Sequence, residues 1–137
     1  FSYYSSHIHQ AHAFTVELGK VRPFGENDMS RFEDARLAIT ALLTEADYAP
    51  EVDLDTVDIY TVNQVINKHK DDFKLHFADD TPNFTDFKAG TLLATESGAE
   101  YVAQQDGEAI VFPNANVAIG QRAILTVVPT TLANNHV

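Results

Sequence analysis

Two hydrophobic periodicities divide the chain into a helical part and a β part. Between Asp28 and Ala46, apolar side chains recur at spacings of three and four residues. This pattern predicts an amphipathic helix from about Asp28 to Ala46, because such positions share one face of a helix. Asn27 or Asp28 is a candidate N-cap, and Ser30 with Glu33 is an alternative capping box one turn later. The predicted apolar stripe consists of Phe32, Ala35, Ile39, Leu42, Leu43 and Ala46.

A short alternating segment precedes this helix. Apolar residues flank Glu17, which predicts a strand over Phe14–Leu18, and Gly19 ends the alternation before a loop that contains Pro and Gly. Glu17 then lies near the C-terminal end of a strand, which is where ligands bind in α/β sheets. A glutamate on a half-exposed strand is also commonly just solvated. The pattern alone leaves both interpretations open.

From about Asp53 onward the pattern is typical of short β-strands. Runs rich in Val, Ile, Tyr and Thr are separated by turn signals such as Asp106-Gly107, which indicates a barrel or sandwich. We therefore expect an α+β chain with a strand–helix region at residues 1–50 and an all-β domain at residues 51–137. Within the predicted strands, His76 alternates with Phe and should face the polar side of its sheet. The predicted strands are Val57–Ile66, Phe73–Phe77, Thr91–Ala94, Tyr101–Ala103, Ala109–Phe112 and Ile124–Val128.

Composition excludes several classes of function. The 137 residues include 20 acidic and 9 basic side chains, for a formal net charge of −11. This balance argues against nucleic-acid and anionic-membrane surfaces, which need clustered Lys and Arg. No apolar run approaches the ~20 residues of a membrane span, and the absence of cysteine is compatible with the cytoplasm. The expected partner is a small molecule, and a homo-oligomer is possible.

Several segments, taken together and in chain order, resemble the succinylglutamate desuccinylase/aspartoacylase family. Members are zinc hydrolases with a carboxypeptidase-like catalytic domain. The matching segments extend over nearly the whole chain. They are Glu17-Leu18-Gly19-Lys20, Pro23-Phe24-Gly25, Asn27-Asp28, Asn83-Phe84-Thr85, Lys88–Ala94, Phe112-Pro113-Asn114, Val117–Gly120 and Arg122-Ala123.

The resemblance implies an amide hydrolase. It implies that Glu17 is the catalytic base and acid, and that the reaction converts N-succinylglutamate and water to succinate and glutamate in arginine catabolism. It also implies Zn, bound by a His-x-x-Glu pair and a later His that precede the catalytic glutamate. No His-x-x-Glu occurs in this sequence. We therefore expect residues 1–50 to be the end of a carboxypeptidase-like α/β zinc-hydrolase domain, the zinc ligands to lie upstream, and the chain alone to be inactive.

His7, His9 and His12 form a separate candidate for metal binding. Three imidazoles within six residues could bind Zn, Ni or Cu. On an extended segment His7 and His9 share a face and His12 lies on the other. The alternative is a solvated terminus, because no carboxylate or Cys joins the cluster. The resemblance places no zinc ligand here, so we assign no metal-ligating residue.

Two other roles remain open for the β region. A barrel-sandwich hybrid can carry lipoate or biotin on a hairpin lysine, and Lys88 is the candidate, although an ordinary strand-edge lysine explains it as well. The β region can instead serve as a lid or an oligomerisation surface, which is compatible with the hydrolase. Lys20 and Arg22 lie near Glu17, and the sequence does not decide between a binding role and exposed loop positions.

Overall fold

The computed structural model describes residues 2–19, 22–44 and 54–131. The chain divides into two compact units, Phe1–Val52 and Asp53–Val137. The predicted end of the helix at Ala46 and the position of Lys20 lie outside the described residues. The identification of these units with a hydrolase domain and a separate β domain stays a prediction.

The first unit begins with a helix that the sequence pattern did not predict. Helix α1 is Ser2–His9, and none of its residues is buried. His7 stacks on Tyr3 with ring centroids 5.3 Å apart, and His9 meets the edge of Tyr4 at 5.4 Å. Tyr3 and His7 are i, i+4 neighbours on a helix. On a helix, residues two apart such as His7 and His9 project about 200° apart around the axis, unlike those of an extended segment. The expectation that His7 and His9 share one face was therefore wrong.

The predicted amphipathic helix forms as a 3₁₀ turn, Met29–Phe32, followed by helix α2, Glu33–Thr44. Asp28 is the N-cap, because its Oδ1 accepts a hydrogen bond from the backbone N–H of Ser30 at 3.1 Å. The alternative capping box is not formed, since Glu33 accepts from Arg36 Nε at 2.8 Å instead. Neither α1 nor α2, the two described α-helices, is long and apolar enough to cross a membrane.

The strand predicted at Phe14–Leu18 does not form. Residues 10–18 are neither helix nor strand, and Phe14 is 72% exposed. A strand exists only where its backbone groups pair with a neighbouring strand, and no strand occurs among the described residues of the first unit. This corrects the predicted strand–helix arrangement of residues 1–50. Their origin in a carboxypeptidase-like domain stays a prediction.

The apolar stripe of α2 is largely exposed. Phe32 and Ala35 of the predicted stripe are half-buried, whereas Leu42 and Leu43 are 75% and 80% exposed. Ala41, which is buried, was not part of the predicted stripe. An amphipathic helix normally covers its apolar face with a sheet or another helix. The described part of the first unit contains no sheet that could do so.

The second unit is built of β-strands, as predicted, and the strands pair antiparallel. Its described part begins with a 3₁₀ turn, Leu54–Thr56, and then forms two sheets. Within residues 54–131 the strands are β1 Tyr60–Asn67, β2 Lys74–Leu75, β3 Asp86–Phe87, β4 Leu92–Glu96, β5 Ala99–Val102, β6 Glu108–Val111 and β7 Arg122–Pro129. One sheet has the order β1-β7-β6-β3 and the other β2-β4-β5, with antiparallel pairing throughout. Strand β3 was missed because two residues are too short to show a period.

The core of the second unit is built by side chains from both sheets. Leu93 of β4, Ile110 of β6 and Ile124 of β7 are fully buried. Ala109 and Val127, together with Val111, form a smaller cluster. Strand β6 contributes to both clusters because successive side chains point to opposite faces of a sheet. Both faces of this strand are therefore covered by apolar side chains.

His76 lies where its alternation predicted. It is exposed, whereas Phe73 and Leu75 are buried. Its Nε2 lies 2.9 Å from Thr95 Oγ1 on the neighbouring strand. His76 is thus a surface residue of the β2–β4 ladder, and its predicted position is confirmed.

Candidate functional site

Glu17 lies on an exposed, irregular segment that ends at Gly19, which has a left-handed backbone conformation. Glu17 itself is solvent-exposed. Gly19 follows two residues later with φ +85°, a conformation that other residues adopt only with strain. A Cβ atom at Gly19 would lie 3.1 Å from Cζ of Phe32 and 3.3 Å from Oδ1 of Asn27. The segment that carries Glu17 therefore packs against Asn27 and Phe32, and a larger residue at Gly19 would be strained and would require these two side chains to shift.

A small cavity lies at this contact. Its volume is about 180 Å³, and Gly19 and Phe32 belong to its wall. Two lining side chains, Arg22 and Arg31, are cationic, and one, Asp28, is anionic. The cavity thus has a local excess of positive charge in a chain whose formal net charge is −11. Its lining is Gly19, Arg22, Asn27, Asp28, Arg31 and Phe32.

Asp28 is a cap residue rather than a candidate acid. Its Oδ1 accepts hydrogen bonds from Ser30 N at 3.1 Å and from Ser30 Oγ at 2.6 Å. The hydrogen bond from the Ser30 side chain, aided by the one from its backbone and by the charge of Arg31, holds the pKa of Asp28 below its usual range. A carboxyl that stays ionised and already accepts two hydrogen bonds is suited to fixing the helix start.

The sequence pattern identified Glu17 but did not predict this cavity. Arg31 was not singled out, and Arg22 was left undecided. The sequence feature that could have indicated this cavity is a pair of arginines, one on either side of the helix cap and both close in sequence to Glu17. The structure brings both arginines to one cavity that Gly19 helps to form. Whether Glu17 is catalytic stays a prediction.

The described residues do not form a metal site. Within residues 2–19, 22–44 and 54–131, no three His, Asp or Glu side chains come together in a group that could hold a metal ion. His7 and His9 contact tyrosines of α1 instead of each other. The zinc implied by the family resemblance therefore does not fit the described residues.

Glu108 is a buried carboxylate that sequence reasoning missed. It is 1% exposed, and it accepts hydrogen bonds from Gln64 Nε2 and from the backbone N–H of Gln104, each at 2.5 Å. Burial alone would raise the pKa of Glu108. Hydrogen bonds from the side chains of Thr126, Gln64 and Asn63 and from the Gln104 backbone outweigh it and hold the pKa below the usual range. The carboxylate links β1, β6 and β7, and this structural role accounts for its burial.

Glu96 at the end of β4 has a similar structural role. Its Oε1 accepts from the backbone N–H groups of His69 and Lys70 at 2.6 Å each, and Tyr101 Oη donates to Oε2 at 3.3 Å. Burial opposes ionisation, but these donors together keep the pKa of Glu96 lowered. The residue fixes the connection between β1 and β2. The signal that both glutamates offered was their position at the end of a short apolar strand: Glu96 is the last residue of β4 and Glu108 the first of β6.

Lys88, the candidate carrier lysine, is exposed and directly follows β3. The next backbone N–H, of Ala89, donates to Asp106 Oδ1 at 2.8 Å. This contact ties the connection after β3 to the Asp106-Gly107 turn. It says nothing specific about an attached cofactor, so the carrier role stays an untested alternative.

Comparison with known families assigns the second unit. The family model described as the AstE/AspA barrel-sandwich hybrid domain matches residues 55–130, which is more than half of the chain. This match covers all seven described strands. The expected barrel-sandwich fold is therefore confirmed for this region.

Curated relatives extend the similarity over the first unit as well. Succinylglutamate desuccinylase from Pseudoalteromonas atlantica is 62% identical over 134 residues, which covers 96% of this chain and 38% of that protein. The protein of the same name from Shewanella frigidimarina is 55% identical over 130 residues, which covers 94% of this chain and 38% of its own length. The chain thus spans about 38% of the length of these relatives.

Solved structures show the same relationship. The crystal structure of succinylglutamate desuccinylase from Vibrio parahaemolyticus matches with a TM-score of 0.82 and 39% identity, covering 96% of this chain and 38% of that one. The corresponding structure from Vibrio cholerae has a TM-score of 0.82 and 39% identity, covering 94% and 37%. At this identity the likeness is one of sequence as well as of fold.

Proposed function

The chain belongs to the family of the AstE/AspA barrel-sandwich hybrid domain, and from this premise we propose that it is part of a succinylglutamate desuccinylase. The observation that carries the proposal is the 62% identity to an enzyme of that name over 96% of the chain. The similarity includes the first unit, where Glu17 and the cationic cavity lie. The proposed reaction is hydrolysis of N-succinylglutamate to succinate and glutamate, a step of arginine catabolism.

In the proposed mechanism Glu17 moves the proton. Its carboxylate takes a proton from the attacking water and later delivers it to the nitrogen of the departing amine. The exposure of Glu17 supports this role, because a small substrate and water can reach it. Two residues of chain extend at most about 7 Å, so Glu17 lies close to the cavity that Gly19 helps to form.

The proposed cofactor is Zn, with ligands supplied by residues other than the described ones. The described residues contain no group of three potential ligands, whereas catalytic zinc generally has about three protein ligands. The chain also spans only about 38% of the relatives' length. The 137-residue chain by itself is therefore proposed to be inactive.

The proposed role of the second unit is to form a lid or an oligomerisation surface of the hydrolase. Two described carboxylates in its interior, Glu96 and Glu108, have structural partners. The unit's buried core is apolar. These features support a framework role better than a catalytic one. A cytoplasmic location and a homo-oligomeric state stay predictions.

A segment exchange tests the proposal. In the Pseudoalteromonas atlantica relative, the matching 134-residue segment is replaced by this chain, and glutamate release from N-succinylglutamate is measured with zinc present. We expect the chimera to release glutamate, whereas the 137-residue chain alone should not exceed the zinc-only background. The unmodified relative is the positive control.

Two outcomes would contradict the proposal. The desuccinylase assignment would be contradicted if the chimera folds, as shown by circular dichroism, but releases no glutamate. Turnover by the isolated chain above background would refute the requirement for residues outside it.

A further inference from the structure

The cavity beside Gly19 has the chemistry of an anion site. Arg22 and Arg31 line it from opposite ends of the segment that leads into α2. Guanidinium groups offer several N–H donors in a planar fork that matches carboxylate geometry, and they stay charged at any physiological pH. The anionic member of the lining, Asp28, already accepts two hydrogen bonds from Ser30. Asp28 therefore uses its Oδ1 to accept hydrogen bonds at the helix start.

The size of the cavity limits what it can accept. Pockets for whole drug-sized ligands measure about 300–1,000 Å³, and this one measures about 180 Å³. It suits one carboxylate on a short chain rather than a complete acylated amino acid. The apolar ring of Phe32 in the wall provides a surface for the methylene groups of such a chain.

Position connects the cavity to the reaction. Gly19 is both a wall of the cavity and the second residue after Glu17. A Cβ atom at Gly19 would lie 3.1 Å from Phe32 Cζ and 3.3 Å from Asn27 Oδ1, so Gly19 lies directly beside two other residues of the cavity wall. A carboxylate held at this point would lie within a few ångströms of the segment that carries the proposed proton-transfer group.

We propose that Arg22 and Arg31 form a subsite that binds one of the three carboxylates of N-succinylglutamate and positions its amide near Glu17. This assignment rests on the proposed function for its biological substrate, but carboxylate binding itself does not require catalysis. The subsite gives a strongly acidic chain a local means of holding an anionic substrate. In this proposal both arginines are binding and positioning residues, and Glu17 is the reacting group.

Binding is tested on the 137-residue chain by NMR titration with succinate as the probe. We expect saturable shifts of the Gly19 and Asn27 amide signals. Arg22→Gln and Arg31→Gln should each weaken succinate binding roughly five- to tenfold, because each removes a charge-assisted interaction. Arg36→Gln is the matched control, since Arg36 lies on α2 outside the cavity and pairs with Glu33. Its dissociation constant for succinate should equal that of the unmodified chain.

Ligand controls separate carboxylate recognition from general effects. Succinamide has nearly the same shape without charge and should produce no saturable shift. Inorganic phosphate at equal ionic strength should bind more weakly than succinate. The subsite assignment is overturned if succinamide produces the same shifts as succinate or if phosphate binds more tightly than succinate. It is also overturned if Arg36→Gln weakens succinate binding as much as Arg31→Gln, or if succinate produces no shift at concentrations up to about 50 mM.

A kinetic test in the segment-exchange chimera addresses positioning. Arg31→Gln should raise KM for N-succinylglutamate about tenfold, with a smaller change in kcat, and Arg36→Gln should change neither. An unchanged KM in an active chimera overturns the positioning role while leaving the desuccinylase proposal intact. If the chimera is inactive but the isolated chain still binds succinate, the result would contradict the proposed function and would still support the carboxylate subsite.

Discussion

The two units of this chain both contain predicted apolar faces but bury them to different extents. In the second unit, Leu93, Ile110 and Ile124 lose all contact with solvent. In the described part of the first unit Ala41 alone is buried, and Leu43 on the same helix is 80% exposed. The difference teaches that an apolar stripe becomes a core only where another element is available to cover it.

Chain connectivity explains the contrast. Antiparallel strands can pair with their sequence neighbours through short turns, so residues 54–131 supply their own partners. A segment such as residues 14–18 would need neighbouring strands that the described first unit does not supply. The first unit therefore exposes the residues proposed for chemistry, while the second has the more extensive hydrophobic core. Five measurements can break or sharpen this comparison.

The largest expected difference is in amide hydrogen exchange. Core strands exchange through global unfolding, and a stability of about 5 kcal/mol slows exchange by roughly 10³- to 10⁴-fold. We expect this protection for β4, β6 and β7, and little protection for residues 10–18 and the amides of α2. If α2 exchanges as slowly as β7, then the two units unfold together and the contrast is wrong.

The next largest effect concerns Glu17. Glu17→Gln in the active chimera should lower kcat by roughly 10²- to 10⁴-fold, because Gln keeps the shape of the side chain and loses its basicity. Glu26→Gln is a matched control, since Glu26 is an exposed glutamate of the same unit. Hydrogen exchange of the second unit should be the same in both variants. Nearly full kcat in Glu17→Gln would remove Glu17 from the mechanism and leave it a solvated residue.

A pair of leucine truncations compares the two apolar surfaces directly. Leu93→Ala should destabilise the second unit by about 2–5 kcal/mol, because it leaves a cavity in a closed core. Leu43→Ala should change the free energy of unfolding by at most about 0.5 kcal/mol, because the side chain is mostly in solvent. Urea denaturation followed by circular dichroism measures both. A large loss in Leu43→Ala would show that the stripe of α2 is covered in solution.

The smallest expected effect comes from the buried polar cluster. Glu108→Gln replaces one acceptor oxygen with a donor facing N–H groups of Gln64 and Gln104, and should cost about 1.5–3 kcal/mol of stability at neutral pH. Glu100→Gln, at an exposed position of β5, is the control and should cost little. Urea denaturation again supplies the measurement. Equal stability of the two variants would show that the cluster contributes nothing measurable.

The same residue predicts a pH dependence. The pKa of Glu108 is lowered in the folded state from an ordinary value near 4.5. Its ionised form therefore contributes stability that is complete above about pH 4.5 and is lost as pH falls through the lowered folded pKa. Unfolding measured from pH 6 downward should show that the unmodified chain loses more stability than Glu108→Gln. Parallel curves for the two proteins would contradict this linkage.

Local patterns were sufficient for much of the fold. The three- and four-residue spacing predicted α2, and Asp28 was one of the proposed caps. The turn signals and apolar runs predicted six of the strands found within residues 54–131. The alternation around His76 correctly predicted its exposed side. These features succeeded because they depend on neighbours a few residues apart, whose chemistry can be read from the sequence.

Failures occurred where partners distant in sequence decided the outcome. The strand at residues 14–18 had the right alternation but no strand to pair with, and β3 was too short to show a period. The buried state of Glu108 depends on Gln64 and Thr126, which belong to strands far away in sequence. Local composition cannot reveal that such donors converge on one carboxylate.

By itself, the sequence determined the sites of turns, the helix start, the exclusion of strongly cationic binding surfaces and the resemblance that singled out Glu17. Only the tertiary structure decided which apolar residues become a core and that Arg22 and Arg31 line one cavity with Gly19. The reason is physical. Turn and cap preferences arise from backbone geometry within a few residues, whereas burial and charge convergence depend on how separate segments meet in space.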